Sequence, residues 1–85
     1  MTLTFIDTPS HGYLRVPKHI FKQSGMNSTD ISRYSGMDST NLYLEEDCDA
    51  SAFLNYLETE GIEFDIISIH RDRSSVPSHN YNSNF

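Results

Sequence analysis

The chain has 85 residues and a mass of 9.7 kDa, enough for one domain and too little for a two-domain enzyme. Twelve Asp and Glu stand against six Lys and Arg, a formal charge of -6 that argues against a phosphate-binding surface spread over the molecule. The apolar share of 36% implies a small core, and no apolar run approaches the roughly 20 residues of a membrane span.

Leu3-Thr4-Phe5-Ile6 reads as a first strand, with Leu3 and Phe5 alternating with threonines. Asp7 to Gly12 is a turn cluster punctuated by Pro9 and Gly12, and Tyr13-Leu14-Arg15-Val16 returns as a second strand. Pro17 suits the opening of a short helix over Lys18–Ser24, which Gly25 ends. Ile31–Tyr34 and Asn41–Leu44 read as the strands of a second hairpin spanning 31–45. The strongest helix signal is Ala50–Glu60. Ala50, Phe53, Leu54 and Leu57 fall on one face, Asp47 or Asp49 is the expected cap, and Gly61 the expected stop. Ile62–Ile69 then reads as a strand that becomes apolar on both sides, the pattern of an interior strand.

These elements give an α+β domain over residues 1–70 with the order ββαββαβ. A mostly antiparallel sheet carries one main helix packed on one face. The expected core is Leu3, Phe5, Leu14, Val16, Ile20, Phe21, Leu42, Leu44, Phe53, Leu54, Leu57, Phe64, Ile66 and Ile67. So thin a core favours marginal stability or oligomerisation. Residues 71–85 are rich in Ser, Asn, Pro and His and read as a flexible polar tail.

Charge is concentrated. Glu45, Glu46, Asp47, Asp49, Glu58, Glu60, Glu63 and Asp65 lie in one stretch without a Lys or Arg, so 45–65 carries -8 and the remainder +2. Carboxylates before the helix are favoured by its dipole, but Glu58 and Glu60 sit at the opposite end, where the dipole disfavours them. The stretch is either a solvated acidic surface or a face built to meet a basic partner.

Metal and nucleophile signals are weak. Glu45–Asp49 lacks calcium-loop spacing, and Cys48 has no second sulfur nearby, so neither a metal nor another cofactor is expected. The carboxylates beside Cys48 oppose a thiolate, which leaves a partly buried structural cysteine as the expectation. A single cysteine excludes an internal disulfide and fits a reducing cytoplasm. His11, His19, His70 and His79 show no ligand spacing. His11, Tyr13 and Arg15 form a compact polar and aromatic set on the first hairpin. With Tyr34 they make a possible ligand site facing the Glu45–Asp49 loop, His11 supplying a general base. The bland alternative for His11 is a hydrogen bond to its own turn. Tyr13 and Tyr43 point opposite inward leucines and are expected at the surface, Tyr43 as part of a partner-binding face. Stacking of single-stranded nucleic acid on Arg15, Arg33, Arg71 or Arg73 with nearby aromatics is disfavoured by the acidic balance.

Three blocks, Ser10-His11-Gly12-Tyr13-Leu14-Arg15-Val16-Pro17, Ser32-Arg33-Tyr34-Ser35 and Tyr43-Leu44-Glu45-Glu46-Asp47-Cys48-Asp49-Ala50, resemble a set of small proteins encoded by phages and other bacterial mobile elements. The resemblance covers residues 5–70 and carries no catalytic residues with it. It implies a short accessory protein, working in the cytoplasm of a bacterial host, that binds and inhibits or redirects a host protein.

Three functions follow as expectations. The leading one is a non-enzymatic protein whose Glu45, Glu46, Asp47, Asp49, Glu58, Glu60 and Tyr43 dock on a basic surface of a host or phage protein. A nucleic-acid-handling defence enzyme is the best fit, in the manner of an anti-CRISPR or anti-restriction protein, with no direct contact to nucleic acid or membrane. The second is a structural homo-oligomer, suggested by the thin core and by the strand at 66–69 that is apolar on both sides. The third is a small enzyme or ligand-binding domain using His11, Tyr13, Arg15 and the Glu45–Asp49 loop, which requires a concave pocket between them.

Overall fold

The computed structural model describes residues 1–32, 34–72, 76 and 77. It is an α+β domain built on a five-stranded mixed sheet. The elements are β1 (Thr2–Asp7), β2 (Gly12–Pro17), α1 (Lys18–Gln23), a 3-10 turn (Ser28–Asp30), β3 (Gly36–Met37), β4 (Asn41–Glu45), a π-helical turn (Glu46–Ala50), α2 (Ser51–Thr59) and β5 (Asp65–His70). Strands and α-helices follow in the expected order ββαββαβ, and the sheet order is β3-β4-β2-β1-β5.

β1 and β2 pair antiparallel, with Phe5 opposite Leu14. β2 and β4 pair antiparallel, with Leu14 opposite Leu44 and Val16 opposite Leu42. This register stacks one apolar row across three strands, because alternate residues share a face. α2 lies over that row and buries Phe53 and Leu57 completely. Phe21 of α1 stacks on Phe53 with ring centres 5.8 Å apart, which ties the two helices together. α2 stops as expected. Gly61 takes a positive φ of 67° while its N–H and that of Ile62 bond back to Glu58 and Leu57.

Several expectations need correction. Of the strand expected over 31–34, the described residues Ile31, Ser32 and Tyr34 lie in none. The hairpin partner of β4 is the two-residue β3, and Ile31 is buried in the core. α2 starts at Ser51, because Glu46–Ala50 winds as a wide turn. Neither Asp47 nor Asp49 caps it; the Glu45 carboxylate accepts from the Asp47 N–H at 3.0 Å instead. The final strand begins at Asp65 and is an edge strand, parallel to β1. β2 has β1 and β4 as neighbours, so the crossover through α2 returns the chain to the free side of β1. Ile66 and Ile67 are therefore 43% and 56% exposed and lie outside the core. Phe5, Ile20, Leu54 and Phe64 are half-buried at its margin.

The second sheet face holds a smaller cluster in which Ile6, Tyr13 and Tyr43 are buried, at 4%, 3% and 7% exposure. Ile69 and Val76 pack on it. The two tyrosines are thus inside, against expectation. Both alternate with the inward leucines, but the face opposite the helix is packed as well, by Ile69 and Val76 among the described residues. Val76, expected in a flexible tail, contributes to that cover. The other residues of the tail, 73–75 and 78–85, with Arg73 and His79 among them, lie outside the described residues, as does Arg33.

Candidate functional site

Two loops meet at one end of the sheet. The first is the turn between β1 and β2. Thr8 builds it, donating its hydroxyl to the His11 carbonyl at 2.6 Å and accepting the His11 N–H at 3.1 Å. This is the local backbone role that Thr rather than His plays in the turn, and it leaves the imidazole free to face outward. The second loop is the π-helical turn after β4. The register sets Tyr13 opposite Glu45, which brings His11 Nδ1 to 3.6 Å from Glu45 Oε1. The His11 ring meets the Tyr13 ring edge-on, with centres 6.3 Å apart.

Glu45 is the hub of this end. Its side chain is buried and serves His11, the Asp47 N–H and the Cys48 thiol. The hydrogen bond to Glu45 pushes the Cys48 thiol pKa up, and loss of solvation with the charges of Glu45 and Asp49 pushes the same way, against a smaller opposing bond from Ser32. Cys48 is exposed rather than partly buried. The shift disfavours the thiolate, the form that nucleophilic attack and metal binding both use. Asp49 is also buried. It accepts from the Ser32 N–H at 3.1 Å, the Ser32 hydroxyl at 2.7 Å and the Ser35 hydroxyl, and Ser35 Oγ accepts the Glu45 N–H at 2.9 Å. These contacts fasten Ser32 and Ser35 to the π-helical turn. Ser32 and Ser35 were visible only as part of a block; nothing in their spacing points to a carboxylate 17 and 14 positions away.

On the second face, Arg15 reaches the Thr4 hydroxyl at 3.4 Å, and its positive charge lies near the Tyr43 phenol. Tyr43 donates to Asp38 Oδ2 at 2.7 Å. Partial burial by itself raises the Asp38 carboxyl pKa, but the bonds from Tyr43, Asn41 and Thr40 outweigh it and hold the pKa below the usual carboxylate value. Tyr43 responds in the opposite sense: burial first, then the hydrogen bond to Asp38 and the Asp38 charge, raise the pKa of its phenol against a smaller pull from Arg15. Asp38 is a residue that sequence reasoning passed over, although Asp38-Ser39-Thr40-Asn41 is a recognisable Asx turn.

The expected residues therefore divide. His11, Tyr13 and Glu45 come together, and so do Arg15 and Tyr43. Tyr34 is 55% exposed on the loop before β3. Glu45, Asp49 and Tyr43 point inward and present nothing to a docking partner, because their polar atoms are engaged by the fold. Glu46, Asp47, Glu58 and Glu60 are exposed, as are Glu63 and Asp65. Among the described residues no ion pair neutralises any of these six.

The open grooves on the surface of the described residues include the following three. One of about 520 Å³ is lined by Asp7, Thr8, Pro9, His70, Arg71 and Asp72. Another of about 470 Å³ lies along Met1 and Ile62–Asp65. The third, about 300 Å³, is apolar and runs between α2 and β5 over Phe5, Leu14, Leu54 and Ile66. His11, Tyr13, Arg15 and Tyr34 line none of these three. Among the described residues no group of three or more His, Cys, Asp and Glu is placed to hold a metal ion, and no helix is long and apolar enough to cross a membrane. Compared with known protein families, curated proteins and solved structures, the chain matches none.

Proposed function

We propose that this protein is a non-enzymatic binding module whose acidic end docks on a basic surface of another protein. The observation that carries this reading is the set Glu58, Glu60, Glu63 and Asp65. All four are exposed where α2 ends and β5 begins, without a cationic partner among the described residues. A helix C-terminus is itself negative, so each carboxylate near it is unfavourable by about 0.3–1 kcal/mol in the free protein. A basic partner removes that repulsion and is drawn in by the field. Glu46 and Asp47 extend the negative surface at the other end of α2.

A protein that handles nucleic acid fits this chemistry well, since its working surface is built for phosphate. The three blocks resembling phage and mobile-element proteins support a host enzyme of that kind, which the module would block or redirect. The experiment is a pull-down from bacterial lysate with the tagged chain, washed at low and at high salt. A partner retained at low salt, released at high salt and lost with Glu58→Lys plus Glu60→Lys supports the reading. Retention that is indifferent to salt and to charge reversal sinks it.

A further inference from the structure

β5 is an edge strand of six residues, and among the described residues no strand pairs with its outer side. All but one of its six residues are exposed, and Ile69 is half-buried. It is apolar on both faces: Ile66 lies on the helix side, Ile67 and Ile69 on the other. A strand of this kind offers unpaired N–H and C=O groups and invites another strand.

The groups that face outward follow from the pairing with β1. The Asp65 N–H bonds Met1 and the Arg71 N–H bonds Asp7. Odd-numbered residues of β5 therefore turn their backbone groups toward β1. Ile66, Ser68 and His70 turn theirs to the open edge.

We propose that β5 pairs antiparallel with β5 of a second copy of this chain, across a two-fold axis at Ser68. The occupant follows from the self-complementarity of this register. Ser68 faces Ser68 of the second copy, and Ile66 faces His70, so each outward backbone group meets a matching one. Ile67 faces Ile69, twice, in the close non-hydrogen-bonded positions. Asp65 faces Arg71, twice, pairing opposite charges at both ends. The axis stands perpendicular to the sheet, so both α2 helices lie on the same side. The apolar rows on the other face run on from Tyr43, Tyr13 and Ile6 through Ile69 and Ile67 into the second copy.

Arg71 guards the edge in the single chain. Its guanidinium donates to the His70 carbonyl at 2.7 Å, one of the outward acceptors. Dimerisation exchanges that bond for the Ile66 N–H of the second copy and frees the guanidinium for Asp65. Asp65 belongs to the acidic end as well, but Glu58, Glu60 and Glu63 take no part in this pairing, so reversal of Glu58 and Glu60 tests the docking and the Asp65–Arg71 exchange tests the dimer.

The test uses the full chain. Sedimentation of the unmodified protein is expected to give twice the 9.7 kDa chain mass. Arg71→Asp places like charges together twice and weakens the dimer by about tenfold or more; adding Asp65→Arg restores it. In a Cys48→Ser background, Ser68→Cys is expected to form a disulfide-linked dimer under oxidised glutathione, because hydrogen-bonded pairs across antiparallel strands sit about 5.5 Å apart at Cα. Ser51→Cys, exposed on α2, is the control that stays uncrosslinked. A chain that remains monomeric at millimolar concentration overturns the proposal. A dimer indifferent to the Asp65–Arg71 exchange and not trapped by Ser68→Cys overturns it as well.

Discussion

Ser32 donates twice to Asp49, through its N–H at 3.1 Å and its hydroxyl at 2.7 Å, across 17 positions of sequence. The carboxylate is buried, so it could not be left without these donors. Ser35 adds a third side-chain contact. Ser32 and Ser35 are thus both tied to one acidic side chain from the turn after β4. Asp49 belongs to the acidic run by composition and to the core by structure.

Asp49→Asn keeps the shape but turns one carboxylate oxygen into an amide donor. At least one of the three serine donations is then lost or opposed. The expected destabilisation is about 1–3 kcal/mol, read as a lower urea midpoint with an unchanged slope. An unchanged midpoint would show that the loop does not depend on this carboxylate.

Gly12 begins β2 directly beneath the Phe5 ring. A β-carbon there runs into the ring of Phe5 and comes within 3.1 Å of Glu46 Oε1. Phe5 is half-buried at the core margin, so either its ring turns out of its packed position toward the open groove beside α2 or the strand shifts. Gly12→Ala is expected to cost about 1–3 kcal/mol by overpacking. Thermal unfolding of Gly12→Ala beside Gly12→Ala/Phe5→Leu checks the cause, since the smaller side chain should recover part of the loss.

Tyr43→Phe removes the hydroxyl that donates to Asp38. The folded-state pKa of Asp38 is depressed. Its contribution to stability is therefore present above the ordinary carboxylate pKa and lost as pH falls through the lower folded value. The variant is expected to be less stable than the parent by about 1 kcal/mol at pH 7, with the gap closing in acid. Parallel urea titrations at pH 7 and pH 3 measure it; a gap of equal size at both would assign the loss to packing alone.

Cys48 is exposed, yet its thiol pKa is raised by its bond to Glu45 first and by the neighbouring negative charges after that. Alkylation by iodoacetamide at pH 7 is expected to run slower than for a small free thiol, despite full access. Glu45→Gln should move the pH–rate curve toward lower pH. A rate at neutral pH equal to that of free cysteine would contradict the assignment.

Much of the fold could be read from residue order. Alternation in Leu3–Phe5 and Leu14–Val16 marked two strands, the spacing of Ala50, Phe53, Leu54 and Leu57 marked the face of α2, and Gly25 and Gly61 marked helix ends. These signals are local, and the physics behind them acts over a few residues, which is why they survive in a single sequence. The site residues were less legible. His11 and Glu45 were each singled out, but the 3.6 Å between them depends on the pairing of β2 with β4.

Burial was the property that sequence could not assign. Glu45, Asp49 and Tyr43 look like surface residues by type, and each is buried because a distant group satisfies it: His11 and the Asp47 N–H, Ser32 and Ser35, Asp38 and Arg15. Ile66 and Ile67 look like core by type and are exposed, because strand order leaves β5 at the edge. Period and composition determined the elements, the α+β class and the concentration of charge. Strand order and register alone decided which charges are free and which apolar side chains remain uncovered, because both depend on pairings between residues far apart in the chain.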